Sequence, residues 1–143
     1  MSIVKITVKS GKQAGYSVNI ARDDAPSEIE KTIDGTLASS ATPRRLSLAA
    51  VIEGLEYLSH HPVAGDTLVT INLSEDYVVN GINYKWPFKW AKNGWLTTQH
   101  TPIQNRDLWE RYLALAAEMT IRADKPWNKP GDHAVAYVQG HVV

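Results

Sequence analysis

The residues with the clearest chemical potential lie between positions 85 and 95, where Lys85, Lys89 and Lys92 are interleaved with Trp86, Trp90 and Trp95. Ammonium groups attract phosphate, and an exposed indole can stack on a sugar or a base. Pro87 near the start of this run and Asn93-Gly94 at its close predict a short helix over Lys85 to Lys92. Trp86 and Trp90 stand four residues apart on one helical face, a spacing that suits core packing as well as ligand contact. The lysines have nothing to pack against and are either solvated or used. His60, His61 and His100 show no ligand spacing and are assigned to the surface. The chain has no cysteine, so thiolate metal sites and disulfides are excluded.

The surrounding chain must position that patch. Its 143 residues, 43% hydrophobic and 21% charged, describe one globular domain, residues 1–143, with enough length for a real core. Lys plus Arg and Asp plus Glu balance at 15 each. A nucleic-acid hypothesis must therefore rest on a local patch, because phosphate binders are usually basic overall. No apolar run approaches the roughly 20 residues of a membrane helix. The opening residues Met1-Ser2-Ile3-Val4-Lys5 lack a signal-peptide core, which makes a cytoplasmic protein the expectation.

Alternation over Ile3–Lys9, Tyr16–Ala21 and Ile29–Leu37 predicts three strands joined by short connections. The period then becomes helical: Leu48, Val51, Ile52, Leu55 and Leu58 recur on one face, with Thr42 and Pro43 as cap and first-turn proline and His60-His61-Pro62 as the stop. Thr67–Leu73 is apolar enough for a central strand. Ser74 opens a short helix, with Glu75 and Asp76 favouring its positive end, and Gly81 closes it. Asn105 caps a long helix in which Leu108, Tyr112, Leu115, Ala116 and Met119 share a face, ended by Lys125-Pro126. Ala134–Gln139 is the predicted last strand.

Several of these residues also form an ordered series. Asp76-Tyr77-Val78-Val79-Asn80-Gly81-Ile82, Lys85-Trp86, Trp90-Ala91-Lys92-Asn93-Gly94-Trp95, Thr101-Pro102-Ile103 and Asn105-Arg106-Asp107-Leu108-Trp109 resemble ribonuclease H of the bacterial type 1 family. The resemblance covers nearly the whole chain, strongly in the middle and weakly at the start. It implies an α/β fold: a ribonuclease-H-like mixed five-stranded sheet, three antiparallel strands followed by two parallel crossovers, flanked by helices. It also implies cleavage of the RNA strand of an RNA–DNA hybrid by two Mg²⁺ ions held on four carboxylates, since hard cations want oxygen ligands and negative charge.

The matching positions depart from that pattern. Lys9, in Val8-Lys9-Ser10-Gly11, stands where the family has the aspartate of Thr-Asp-Gly-Ser. Ser47, in Arg45-Leu46-Ser47-Leu48, replaces a glutamate, and Ser74, in Leu73-Ser74-Glu75, replaces an aspartate. With the last strand at 134–139, the C-terminal helix that carries the fourth acid is missing. His141 matches the family's mobile histidine. No catalytic residue, metal or other cofactor is therefore expected. Glu75 and Asp76 could replace the lost acids in a relocated site, or simply favour the helix start.

The resemblance makes Lys85, Trp86, Lys89, Trp90, Lys92 and Trp95 the basic protrusion that contacts DNA. Thr42 matches a phosphate-holding threonine, and Asn80 and Asn105 match polar groups of the hybrid groove. Arg44 adds charge, and Arg45 matches a family arginine with a scaffold role. Pro43-Arg44 replaces the family's paired asparagines, which puts RNA 2′-hydroxyl recognition in doubt. Three functions stay open: a non-catalytic module for hybrid or duplex, a protein-interaction domain with a partner or a second copy, and an active Mg²⁺-dependent hybrid nuclease.

Overall fold

A computed structural model describes residues 2–10, 14–22, 30–38, 40–61 and 67–125. Strand β1 (Ser2–Ser10) buries Val4, Ile6 and Val8 and exposes Lys5 and Lys9, the period of a half-buried strand. It pairs antiparallel with β2 (Gly15–Arg22), which pairs antiparallel with β3 (Glu30–Thr36). On its other side β1 runs parallel to β4 (Thr67–Asn72), and β4 parallel to β5 (Thr120–Asp124). The order is β3-β2-β1-β4-β5, the five-stranded mixed sheet expected.

Helix α1 (Pro43–His60) lies across the sheet. The Thr42 hydroxyl accepts from the Arg45 N–H at 3.2 Å, so this residue caps the helix as its type suggests. Leu48, Val51, Ile52 and Leu55 meet Val4, Ile6, Val18, Ile20, Val69 and Ile71 in one apolar layer. Each such side chain removed from water contributes about 1.5–3 kcal/mol before ordering entropy is counted. Gly54 lets helix and sheet approach: a Cβ there would stand 3.1 Å from Ile6 and 3.2 Å from Val18. Helices α2 (Asp76–Asn83), α3 (Trp86–Lys92) and α4 (Arg106–Ala116) form the lobe that carries the basic patch.

Four expectations are corrected. The helix after Asn105 ends at Ala116, not Lys125, and Thr120–Asp124 is the fifth strand. The apolar spacing does run on to Met119, but Met119 sits in the connecting turn, its N–H donating to Ala116 O at 3.0 Å. Residues 120–124 pair instead with β4, whose outer edge would otherwise lack backbone partners. Residues 134–139 are outside the described part, as is His141. The expected lack of a C-terminal helix likewise concerns residues outside the described part. Glu75, not Ser74, caps α2, accepting from the Tyr77 N–H at 3.2 Å. That helix passes Gly81 and ends at Asn83. Asn105 has a left-handed backbone (φ 61°) and no side-chain cap bond.

Candidate nucleic-acid interface

Trp109, fully buried, is the hub of the helical lobe. Tyr77, Trp90 and Tyr112 meet its ring edge to face at 6.0, 5.8 and 5.5 Å, and its indole N–H donates to the Tyr77 hydroxyl at 3.2 Å. Trp86 packs on Tyr77 and Trp90 at 5.8 and 5.9 Å, and Trp90 on Trp95 at 6.5 Å. Gly81 makes room for this: a Cβ there would be 2.7 Å from Trp109 Cη2. The three tryptophans of the patch are thus brought together as the foundation of α3. Trp95 is buried, while Trp86 and Trp90 keep part of their surface in solvent. Lys85, Lys89 and Lys92 are exposed on that foundation, and among the described residues no carboxylate pairs with them.

Beside α3 lies a cleft of about 440 Å³ lined by Lys89, Trp90, Asn93, Leu96, Thr97, Thr98 and His100. Its far wall is a tightly closed loop. The Thr97 hydroxyl meets Thr101 Oγ1 at 2.6 Å and accepts from the Gln99 and Thr101 N–H groups at 3.2 and 3.1 Å. His100 takes a left-handed φ of 62° there. The sequence marks Lys89 and Trp90 but not the rest of this wall. Loop residues acquire a place only through the Leu96–Pro102 bridge that folds them back.

A second group lies where α1 and α4 begin. The Arg45 guanidinium forks onto Asp107, with contacts of 3.0 and 2.6 Å, and also donates to Asn105 Oδ1 at 3.2 Å. The Arg45–Asp107 hydrogen bonding is the main reason the Asp107 carboxyl is held below its ordinary 3.8 and the guanidinium is raised. Thr42, Arg44, Arg45 and Asn105 are thereby gathered, while Asn80 lies half-buried on α2 outside that group. Arg44 lies 4.5 Å over the Tyr77 ring and 3.8 Å from Glu75. Asp107, which the sequence offers only as part of a motif, is the residue that fixes this corner.

The third group sits at the carboxyl ends of β1 and β4. Thr7 pairs with Asn72, and Lys9 and Ser74 each follow by two residues, Lys9 within β1 and Ser74 just past the end of β4. Ser47 is closed into the core at 4% exposure. Glu75 pairs with Arg44, Asp76 with Lys125, and Asp124 with Arg122 at 3.6 Å. Among the described residues no three His, Asp or Glu side chains are grouped to hold a metal. Nor is any described helix long and apolar enough to cross a membrane.

Residues 5–127 match the family model described as RNase H. A protein named Ribonuclease H from Oleidesulfovibrio alaskensis is 41% identical over 86 residues, 59% of this chain and 51% of that protein. Another of that name, from Caldanaerobacter subterraneus subsp. tengcongensis, is 34% identical over 108 residues, 74% of this chain and 63% of that one. The chain thus spans between half and two thirds of these relatives' length. Among solved structures, the solution structure of the PFV RNase H domain aligns with a TM-score of 0.61 at 17% identity, covering 99% of this chain and 95% of that one. A foamy viral protease-reverse transcriptase described in complex with RNA/DNA hybrid aligns at 0.63 and 15% identity, covering 97% of this chain and 19% of that one. At such identities the likeness is one of fold.

Proposed function

The chain belongs to the ribonuclease H family, and on that footing we propose that it binds an RNA–DNA hybrid or duplex along α3 without cutting it. One observation carries the reading: Lys85, Lys89 and Lys92 stand exposed and without a described carboxylate partner on a tryptophan foundation that fixes their spacing. Rigid placement lowers the ordering entropy that binding must overcome. The cleft behind Lys89 supplies hydroxyls, an amide and part of an indole face for a strand that follows the lysines.

The family's two Mg²⁺ ions do not fit the donor set at the strand ends. An ammonium at Lys9 repels a dication, hydroxyls at Ser47 and Ser74 bring no charge, and the nearby acids are already paired. A second reading, a protein-binding face, draws on Phe88 and Leu96, each 37% exposed on the same lobe.

The test uses the full chain and a labelled hybrid in an Mg²⁺ or Mn²⁺ series and across salt. The expected result is a complex that forms, is not cut, and weakens steeply with salt. In the Lys85→Ala, Lys89→Ala, Lys92→Ala triple variant the log–log salt slope should become shallower by about three. Chelator-sensitive cleavage by purified protein would overturn the non-catalytic reading. Binding that is absent, or indifferent to salt, would leave the protein-binding face.

A further inference from the structure

We propose that the carboxyl ends of β1 and β4 form an anion site, in which Lys9 takes a backbone phosphate of the bound strand directly, with no divalent ion between. This rests on the binding reading above and adds a second contact on a different element. In open α/β sheets ligands gather beyond the carboxyl ends of parallel strands. Here β1 and β4 run parallel, with Lys9 at the carboxyl end of β1 and Ser74 two residues past the carboxyl end of β4. Lys9 is exposed, and no described carboxylate pairs with it.

The charge around these ends favours an anion. Glu75, Asp76 and Asp124 are each matched by Arg44, Lys125 and Arg122. Lys9 is therefore a surplus cation among neutralised pairs. Arg44 is held from two sides, by Glu75 and by the face of Tyr77, so its charge stays in place. A phosphodiester oxygen wants hydrogen-bond donors and positive charge, and the Lys9 ammonium supplies both. The disagreement between these residues and a two-metal site is thus not merely a loss. A cation built into the chain stands where the relatives' resemblance would put a bound one.

The experiment compares hybrid binding by wild type, Lys9→Ala, Lys9→Asp and the α3 lysine triple variant, with and without chelator, after thermal melts show that each is folded. Wild-type affinity should be unchanged by chelator. Lys9→Ala should weaken binding about three- to tenfold and make the salt slope shallower by about one. Lys9→Asp should weaken it further, with Mg²⁺ recovering part of the loss. If Lys9→Ala binds like wild type with an unaltered slope while the triple variant is impaired, the anion site is wrong and the α3 reading survives. If wild-type affinity falls with chelator, direct contact is wrong. If wild type binds no hybrid or duplex, both fall together.

Discussion

Arg45 and Asp107 close a fork between the first turns of α1 and α4, 62 residues apart in sequence, with Nη1 donating to Oδ1 and Nη2 to Oδ2. Asp107 has a folded pKa below its free value, so the pair adds stability that is complete above the free value and lost as pH falls through the folded one. Both side chains are more than a third exposed, so water screens the pair heavily. Asp107→Asn should therefore lower stability by at most about 1 kcal/mol near neutrality. Urea unfolding of both proteins should show the gap closing as the acid limb is reached. A gap that persists in acid would mean that the fork acts by packing alone.

Gly81→Ala should loosen the tryptophan foundation. Its new methyl would meet Trp109 Cη2 at 2.7 Å and Cζ2 at 2.9 Å, with Trp86 at 3.2 Å behind. Forced displacement of a buried ring costs about 1–3 kcal/mol. Thermal unfolding would measure it, and hybrid affinity should fall alongside. An unchanged midpoint would show that Trp109 has room to move.

Asn83 acts as a side-chain partner for β5. Its amide donates to Ala123 O at 2.8 Å, and its oxygen accepts from the Ala123 N–H at 2.9 Å. Asn83→Ala leaves two part-buried backbone groups unsatisfied, a loss of about 1–3 kcal/mol. Hydrogen exchange at the Ala123 amide should accelerate far more than at Ile71 on β4. Equal protection at both amides would refute the assignment.

Leu96→Glu tests the cleft. Leu96 is 37% exposed, so stability should change by no more than about 0.5 kcal/mol. A carboxylate beside Lys89 should nonetheless weaken hybrid binding several-fold, and more at low salt. Unaltered affinity would remove this wall from the interface.

The sheet half of the molecule was open to reading because period and residue type agree there. Val4, Ile6 and Val8 alternate with polar residues, and the α1 face repeats at helical spacing behind a Thr-Pro start. The fifth strand was hidden for the opposite reason. Leu115, Ala116 and Met119 continue the helical spacing of α4, and Thr120–Asp124 becomes a strand only through its pairing with β4. The lysines of α3 were visible, but Asp107 and the Thr97–His100 wall were not, since each gains its role from a partner distant in sequence or from a turn with left-handed residues.

Four of the chain's five tryptophans, Trp86, Trp90, Trp95 and Trp109, sit ring against ring in the helical lobe. The described strands and α1 contain none. Among the described residues, indole emission therefore comes from the half that carries the lysines, where energy absorbed by one ring passes readily to its neighbours. The lobe is its own optical reporter: a strand settling on α3 should alter the emission, while a change confined to the antiparallel strands should leave it unaltered.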